Sequence, residues 1–445
     1  MKSQFLIGAV SSGSGKTLFA MGLLRLLKNR RLKVQPFKCG PNFMDAQLHY
    51  LAGGIDSINL DAFMATRTRL QVVYNSYGER ADVCMMEGSA ALFDGYWRMH
   101  GSSAELAQVF SVPVVLIVNA RSAAYTVAPI LYGFKHFNPS VHIVGVIFNQ
   151  VSSSVHFSYL KGACNDAGLQ CLGYIPYDES LKLPVGHVAL TQSVKQDMEE
   201  LIDKVAGYIK EYVDVDRLIK LTTRIFPCPY TLPYTSDVES ETSPFFMTPR
   251  MRIAVARDAA FNFIYKENLD SLSREGNVQF FSPLYSNELP EADLIYLPGG
   301  YPELFARQLH RRKAFLMQLR AYVERGGKVW AEGGGVLLLA RSLTVREGGS
   351  AYEMSGALPL DCSMVDTKLQ SGYRCAKIGN SLLKGHEFRY YGVNPCDSVP
   401  EKTMDKLHVC NVRGIETQSS LYRYKNVIAG TVHWEWGKTG ISQFF

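Results

Sequence analysis

No stretch of this sequence comes near the roughly 18 consecutive apolar residues of a membrane-spanning helix, so a helical membrane protein is not expected. It also lacks a block of basic residues. The net charge of +6, from 47 Lys and Arg against 41 Asp and Glu, is spread thinly along 445 residues. Nucleic acid is therefore not an expected partner, and an anionic small molecule suits the charge as well. C-x-x-C pairs are missing too. Nine cysteines, an odd and scattered set, read as reduced thiols that fill cores in a cytoplasmic protein. The first residues show no charged region, apolar run and cleavage site in succession, so no secretory leader is expected. No internal repeat is visible. Apolar residues at 47% and charged residues at 20% are ordinary for a globular chain of two or three domains.

The clearest positive signal is QFLIGAVSSGSGKT, residues 4 to 17. Gln4 to Val10 has the length and composition of a buried strand, Ser11 to Gly15 is a small-residue turn, and a helical pattern starts at Thr17. In such a strand, loop and helix, the backbone N–H groups of Gly13, Ser14 and Gly15 close around a polyphosphate. Lys16 reaches the β- and γ-phosphates, Thr17 offers a hydroxyl to Mg²⁺, and the helix dipole adds positive potential. The strict phosphate-loop pattern has glycine where this chain has Val10. A nucleoside triphosphate, read as ATP, is the expected ligand.

Further strands are expected at Lys33–Phe37, Asp82–Met86, Val112–Asn119 and Ile143–Asn149, the last two as near-continuous apolar runs of a sheet covered on both faces. Helical patterns such as Ala104–Phe110 and Ser122–Phe134 separate them, which implies a parallel, doubly wound α/β sheet. From about Ile225 to Arg250 the sequence is rich in Pro, Ser and Thr without periodicity, and reads as a linker. Strands resume at Arg252–Ala256, Val278–Phe281, Asp293–Leu297 and Lys328–Ala331. The expected organisation is an ATP-binding domain over 1–225, a linker over 226–250 and a second α/β domain over 251–445.

Three carboxylates follow the phosphate loop. Asp45 comes after the second strand, Glu87 ends the third, and Asp94 lies in a glycine-flanked turn. Mg²⁺ takes hard oxygen ligands, usually one or two carboxylates beside phosphate oxygens, and Thr17, Asp45 and Glu87 fit that role.

GAVSSGSGKT, QPFKCGPNFMDAQLH, NLDAFM, MEGSAALFDG, VIFNQV and LGYIP, followed by IAVARDAAFNFIYKENL, FFSPL, YLPGGYPEL and GHEFRY, resemble the cobyrinate a,c-diamide synthase family over nearly the whole chain. The resemblance implies a P-loop synthetase domain followed by a class I glutamine amidotransferase-like domain. It also implies ATP- and Mg²⁺-dependent amidation of the a- and c-acetate carboxylates of cobyrinate in cobalamin biosynthesis, with nitrogen from glutamine or ammonia. By the same resemblance, Asp94 serves substrate activation, and Asn149 stands either where the adenine edge is read or simply at a strand-end turn. Another tetrapyrrole, such as nickel-sirohydrochlorin, and a non-catalytic nucleotide- or corrinoid-binding paralogue are the alternatives. A homodimer stays open. The chain departs from the family at Asn42-Phe43, at Ser89-Ala90-Ala91 and at Gly186 before His187.

The sharpest departure is in the second domain. A class I glutaminase carries its cysteine on a strained turn between strand and helix, and the family pattern there is Ala-Glu-Cys-Gly-Gly. This chain reads Ala331-Glu332-Gly333-Gly334-Gly335, with no thiol or hydroxyl from Glu332 to Leu338. The other parts are expected in Leu297-Pro298-Gly299-Gly300-Tyr301 as an oxyanion loop and in His433 as the base, with Glu435 placed to orient it. Cys362, Cys375, Cys396 and Cys410 are off the turn and read as small apolar residues. Glutamine hydrolysis is thus expected to be impaired.

Overall fold

A computed structural model describes residues 1–183, 189–228, 250–396, 404–436 and 440–445, which form two compact units. Gly186, His187 and most of the segment read as a linker lie outside the described residues.

The first unit runs β1 (Lys2–Ala9), α1 (Lys16–Asn29), β2 (Val34–Cys39), α2 (Phe43–Gly53), β3 (Ile58–Leu60), α3 (Arg67–Gly78), β4 (Val83–Glu87), α4 (Ser103–Phe110), β5 (Val114–Asn119), α5 (Val127–Phe137), β6 (Ile143–Val151), α6 (Ser154–Asp166), β7 (Cys171–Pro176), α7 (Gln192–Tyr212), α8 (Val215–Thr222) and β8 (Thr223–Arg224). Seven strands pair in parallel in the order β3-β2-β4-β1-β5-β6-β7, and β8 adds antiparallel to β1. Central strands such as β1 and β5 bury nearly every residue, because helices cover both faces. Helix α5 begins five residues later than its apolar pattern suggests. The Asn119 carboxamide accepts the Arg121 N–H, closing a local turn that postpones the helix. Past β8 the chain is still packed on this unit, since Asn75 bonds both backbone groups of Cys228.

The second unit opens as β9 (Met251–Ala256), α9 (Lys266–Glu275), β10 (Gly276–Phe281), β11 (Leu294–Leu297), α10 (Ala306–His310), α11 (Lys313–Glu324), β12 (Lys328–Glu332) and α12 (Gly335–Leu339). Its main sheet is ordered β10-β9-β11-β12 and continues through Val427–Gly430. The rest differs from simple strand and helix alternation. Gln370–Ile378 and Ser381–Arg389 form an antiparallel hairpin turned at Gly379, whose φ of 59° is in the left-handed region, and Val432–Glu435 pairs with its second strand. That pairing brings the C-terminal histidine back toward the parallel sheet.

Candidate active site

Gly13 and Gly15 take φ of 76° and 100°, a backbone open to glycine at little cost. Gly15 is also demanded by packing. A Cβ there would meet the Asn149 amide nitrogen at 2.1 Å. That amide donates to the Ser14 carbonyl at 2.9 Å, while its oxygen accepts the Gln150 N–H at 2.9 Å. Asn149 therefore pins the phosphate loop to β6 through its side-chain amide. Helix α1 starts directly after Gly15 with no acidic residue in its first turn, leaving its positive end open to an anion.

Lys16 donates to the Ala90 carbonyl, so its ammonium lies over the segment that follows β4. Burial, and then the charge of Lys38, lower its pKa. Glu87 is fully buried at the end of β4 and is the hub of the site. One carboxylate oxygen accepts from the Thr17 hydroxyl at 2.6 Å and from Lys38 Nζ at 2.9 Å; the other is 2.6 Å from His49 Nε2. Lys38 also pairs with Asp45 at 2.7 Å, and His49 Nδ1 is held by Ser57 at 3.0 Å. Burial alone would raise the Glu87 pKa, but Lys38, His49 and Thr17 overcome it and hold the carboxyl well below its usual range. Lys38 is raised for the reciprocal reason: Asp45 and Glu87 more than offset its burial.

The structure thus joins Lys16, Thr17, Asp45 and Glu87 in one cluster, with Asp94 exposed a few residues beyond it. It adds Lys38 and His49, which the motif reading passed over. Lys38 stands directly opposite Glu87 in the β2–β4 register, and His49 is one helical turn after Asp45, a spacing that puts both on the same side of α2. The donor set suits Mg²⁺: a hydroxyl and two carboxylates supply hard oxygens, with the remaining positions falling to phosphate and water. Among the described residues no cluster of three or more His, Cys, Asp or Glu could hold a metal ion by itself.

In the second unit β12 ends in a tight elbow. Gly333 has φ of 50°, and Glu332 before it is buried, receiving hydrogen bonds from Trp330 at 2.6 Å and from Tyr296 and Trp436 at 3.1 Å. Burial pushes the Glu332 carboxyl up to about 8 against these donors. The imidazole of His433 is packed between two glycines. A Cβ on Gly333 would meet its Cε1 at 2.4 Å and Nε2 at 2.6 Å, and one on Gly299 would meet Cε1 at 1.9 Å. The elbow at Gly333, the loop at Gly299 and the His433 ring lie together, and the ring occupies the space into which a side chain at 333 would project. His433 is registered opposite His386, and Glu435 opposite Lys384. Burial, with the neighbouring His386, lowers the His433 pKa to about 3, opposed by Glu387. Glu387 itself is buried among Arg374, Arg389, Ser419 and Thr431, a charged knot that ties the hairpin to Val432–Glu435. Cys375 and Cys410 face each other across strands, and Cys362 lies within Leu360–Ser363.

A parallel sheet with a phosphate loop, followed by a histidine-facing strand elbow, defines a nucleotide-binding domain joined to a glutamine amidotransferase-type domain. Residues 5–190 match the CobQ/CobB/MinD/ParA nucleotide binding domain, and residues 252–439 the CobB/CobQ-like glutamine amidotransferase domain. Cobyrinate a,c-diamide synthase from Archaeoglobus fulgidus is 35% identical over 397 residues, 86% of this chain and 84% of that one. The synthase of the same name from Listeria monocytogenes is 36% identical over 409 residues, 87% of each chain. Hydrogenobyrinate a,c-diamide synthase from Brucella anthropi is 36% identical over 404 residues, 87% of this chain and 89% of that one. The chain belongs to the cobyrinate a,c-diamide synthase family, and is an amidating carbon–nitrogen ligase. Among its described residues no helix is long and apolar enough to cross a membrane.

Proposed function

We propose that this protein uses ATP to amidate the a- and c-acetate carboxylates of cobyrinate, and that it takes ammonia directly instead of releasing it from glutamine. The names of its relatives support the substrate, and the Thr17–Glu87–Lys38–Asp45 cluster beside the phosphate loop supports the chemistry. A carboxylate is a poor electrophile until one oxygen becomes a leaving group. An acetate oxygen of the substrate attacks the γ-phosphorus, and the bond to ADP breaks. Ammonia then attacks the acyl carbon, phosphate departs, and the nitrogen loses a proton. Lys16 and the loop N–H groups hold the transferred phosphoryl group, where charge builds in the transition state. Thr17, Asp45 and Glu87 would hold Mg²⁺, which would supply neutralisation of the phosphate oxygens. Lys38 keeps the two carboxylates together and ionised, and Asp94 serves substrate activation.

Gly333 carries the second half of the proposal. With neither thiol nor hydroxyl on the elbow, no acyl-enzyme forms and His433 has no nucleophile to activate. Removing such a nucleophile typically costs several orders of magnitude in rate. The test is ADP release and product mass with cobyrinate, ATP and Mg²⁺, supplied with either an ammonium salt or glutamine. Amidation with ammonium and not with glutamine is expected. Equal turnover with glutamine would overturn the assignment of Gly333, and no corrinoid-dependent ADP release would overturn the ligase reading.

A further inference from the structure

Directly after Asp94 the chain makes a small hairpin whose construction the phosphate-transfer chemistry does not require. It is closed by the Gly95 N–H on the Arg98 carbonyl at 2.8 Å and the His100 N–H on the Trp97 carbonyl at 3.0 Å. Both of its glycines are forced. A Cβ on Gly95 would meet the His100 carbonyl oxygen at 2.0 Å, and Gly101, at φ 79°, has room for none because the Tyr96 ring would be 2.4 Å away. Arg98 takes φ of 52°, a conformation that costs a non-glycine residue free energy and that tends to mark functional loops.

The base of the hairpin is fastened on both sides. Tyr96 lies edge-on against Phe63 at 5.4 Å, Asn138 donates to the Met99 sulfur at 3.4 Å, and the Gly101 N–H bonds Glu105. Its tip is open. Trp97 is 54% exposed, whereas the other three tryptophans of the chain are buried, and Tyr96, Arg98 and His100 are exposed beside it. The segment leading in passes Ala90, which receives the Lys16 ammonium, so the hairpin follows within a few residues of a contact made by the phosphate-loop lysine.

We propose that the hairpin is the seat of the acceptor substrate. Trp97 and Tyr96 lie against the conjugated face of a tetrapyrrole-type macrocycle, while Arg98 pairs with the carboxylates around its edge. One acetate then reaches Asp94 and the γ-phosphate. A large exposed indole beside a guanidinium suits an amphipathic, polyanionic disc and gives no grip on a small neutral acceptor. The inference rests on the cobyrinate reading above and assigns the residues that would recognise that substrate.

Steady-state kinetics of the full chain with ammonium test it, together with calorimetric titration of cobyrinate in the absence of nucleotide. Trp97→Ala is expected to raise the KM for cobyrinate about tenfold and to weaken binding equally, leaving the KM for ATP unchanged and kcat within about threefold. Trp97→Phe restores most of the affinity, and Arg98→Ala raises the same KM. An unchanged cobyrinate KM in Trp97→Ala, or a loss confined to kcat or to the ATP KM, overturns the hairpin's role while the ligase reading stands. Wild-type protein that neither binds nor turns over cobyrinate removes both.

Discussion

Replacing Glu87 by Gln should do more than slow a reaction, because its carboxylate neutralises Lys38 deep in the first unit. At 2.9 Å and an effective dielectric of about 20, the gross attraction between these two charges is about 6 kcal/mol. Part of it is offset by the desolvation of both groups. Breaking a buried pair by removing one partner costs about 3–5 kcal/mol net. Asp45 remains on Lys38 at 2.7 Å, so the lower end, about 3 kcal/mol, is the expected loss. Hydrogen exchange at the amides of β1 and β4 reads this unit separately from the other, and their protection should fall roughly 100-fold. The same variant should lose ADP release. A double variant, Glu87→Gln with Lys38→Met, should regain most of the protection and none of the turnover, which separates stability from catalysis. Protection in Glu87→Gln within about threefold of wild type would refute the reasoning.

At the phosphate loop, Gly15→Ala places a methyl against the Asn149 amide in a left-handed backbone, and isothermal titration should find nucleotide binding abolished. Asn149→Ala removes one buried hydrogen bond worth about 1 kcal/mol and should raise the KM for ATP about fivefold. In the second unit, Gly333→Cys should create glutamine-dependent amidation where wild type has none, provided the His433 ring turns aside; a variant as inert as wild type would show the elbow to be closed as well as empty. Acid should destabilise this unit. His433 and His386 sit at about 3 and 4 when folded, below the 6.5 of a free imidazole, so the unfolded chain binds more protons in between. The stability these residues confer is complete above pH 6.5 and is lost progressively as pH falls through their folded values. Urea unfolding from pH 7 to 4 checks this, and His433→Phe should flatten the dependence.

The phosphate loop was readable in the sequence because all its parts are contiguous: a strand, a glycine turn and a helix start within fourteen residues. Lys38 and His49 were not, since what makes them functional is the register of two non-consecutive strands and the face of one helix, neither of which a linear motif contains. Asn149 shows a different limit. Residue type and strand end suggested a base reader or a turn former, and only the 2.9 Å contact to Ser14 showed that its amide fastens the loop. In the second unit strands and helices follow one another through β12 except between β10 and β11, which a loop without a helix joins. That order then gives way to antiparallel hairpins, whose pairing partners are set by a return of the chain from residue 370 to 435. Glu435 reads as the orienter of His433 from its two-residue spacing, and the strand register adds His386, directly opposite that ring, which no linear motif contains.

The account turns on where the amide nitrogen comes from. Cobyrinate, ATP and Mg²⁺ supplied together with unlabelled ammonium and isotopically amide-labelled glutamine, followed by mass spectrometry of the corrinoid, measures it directly. Product amides carrying only unlabelled nitrogen are predicted, since Gly333 gives His433 nothing to activate. Label in either amide would contradict the account, because it would require a glutaminase nucleophile that the elbow does not hold.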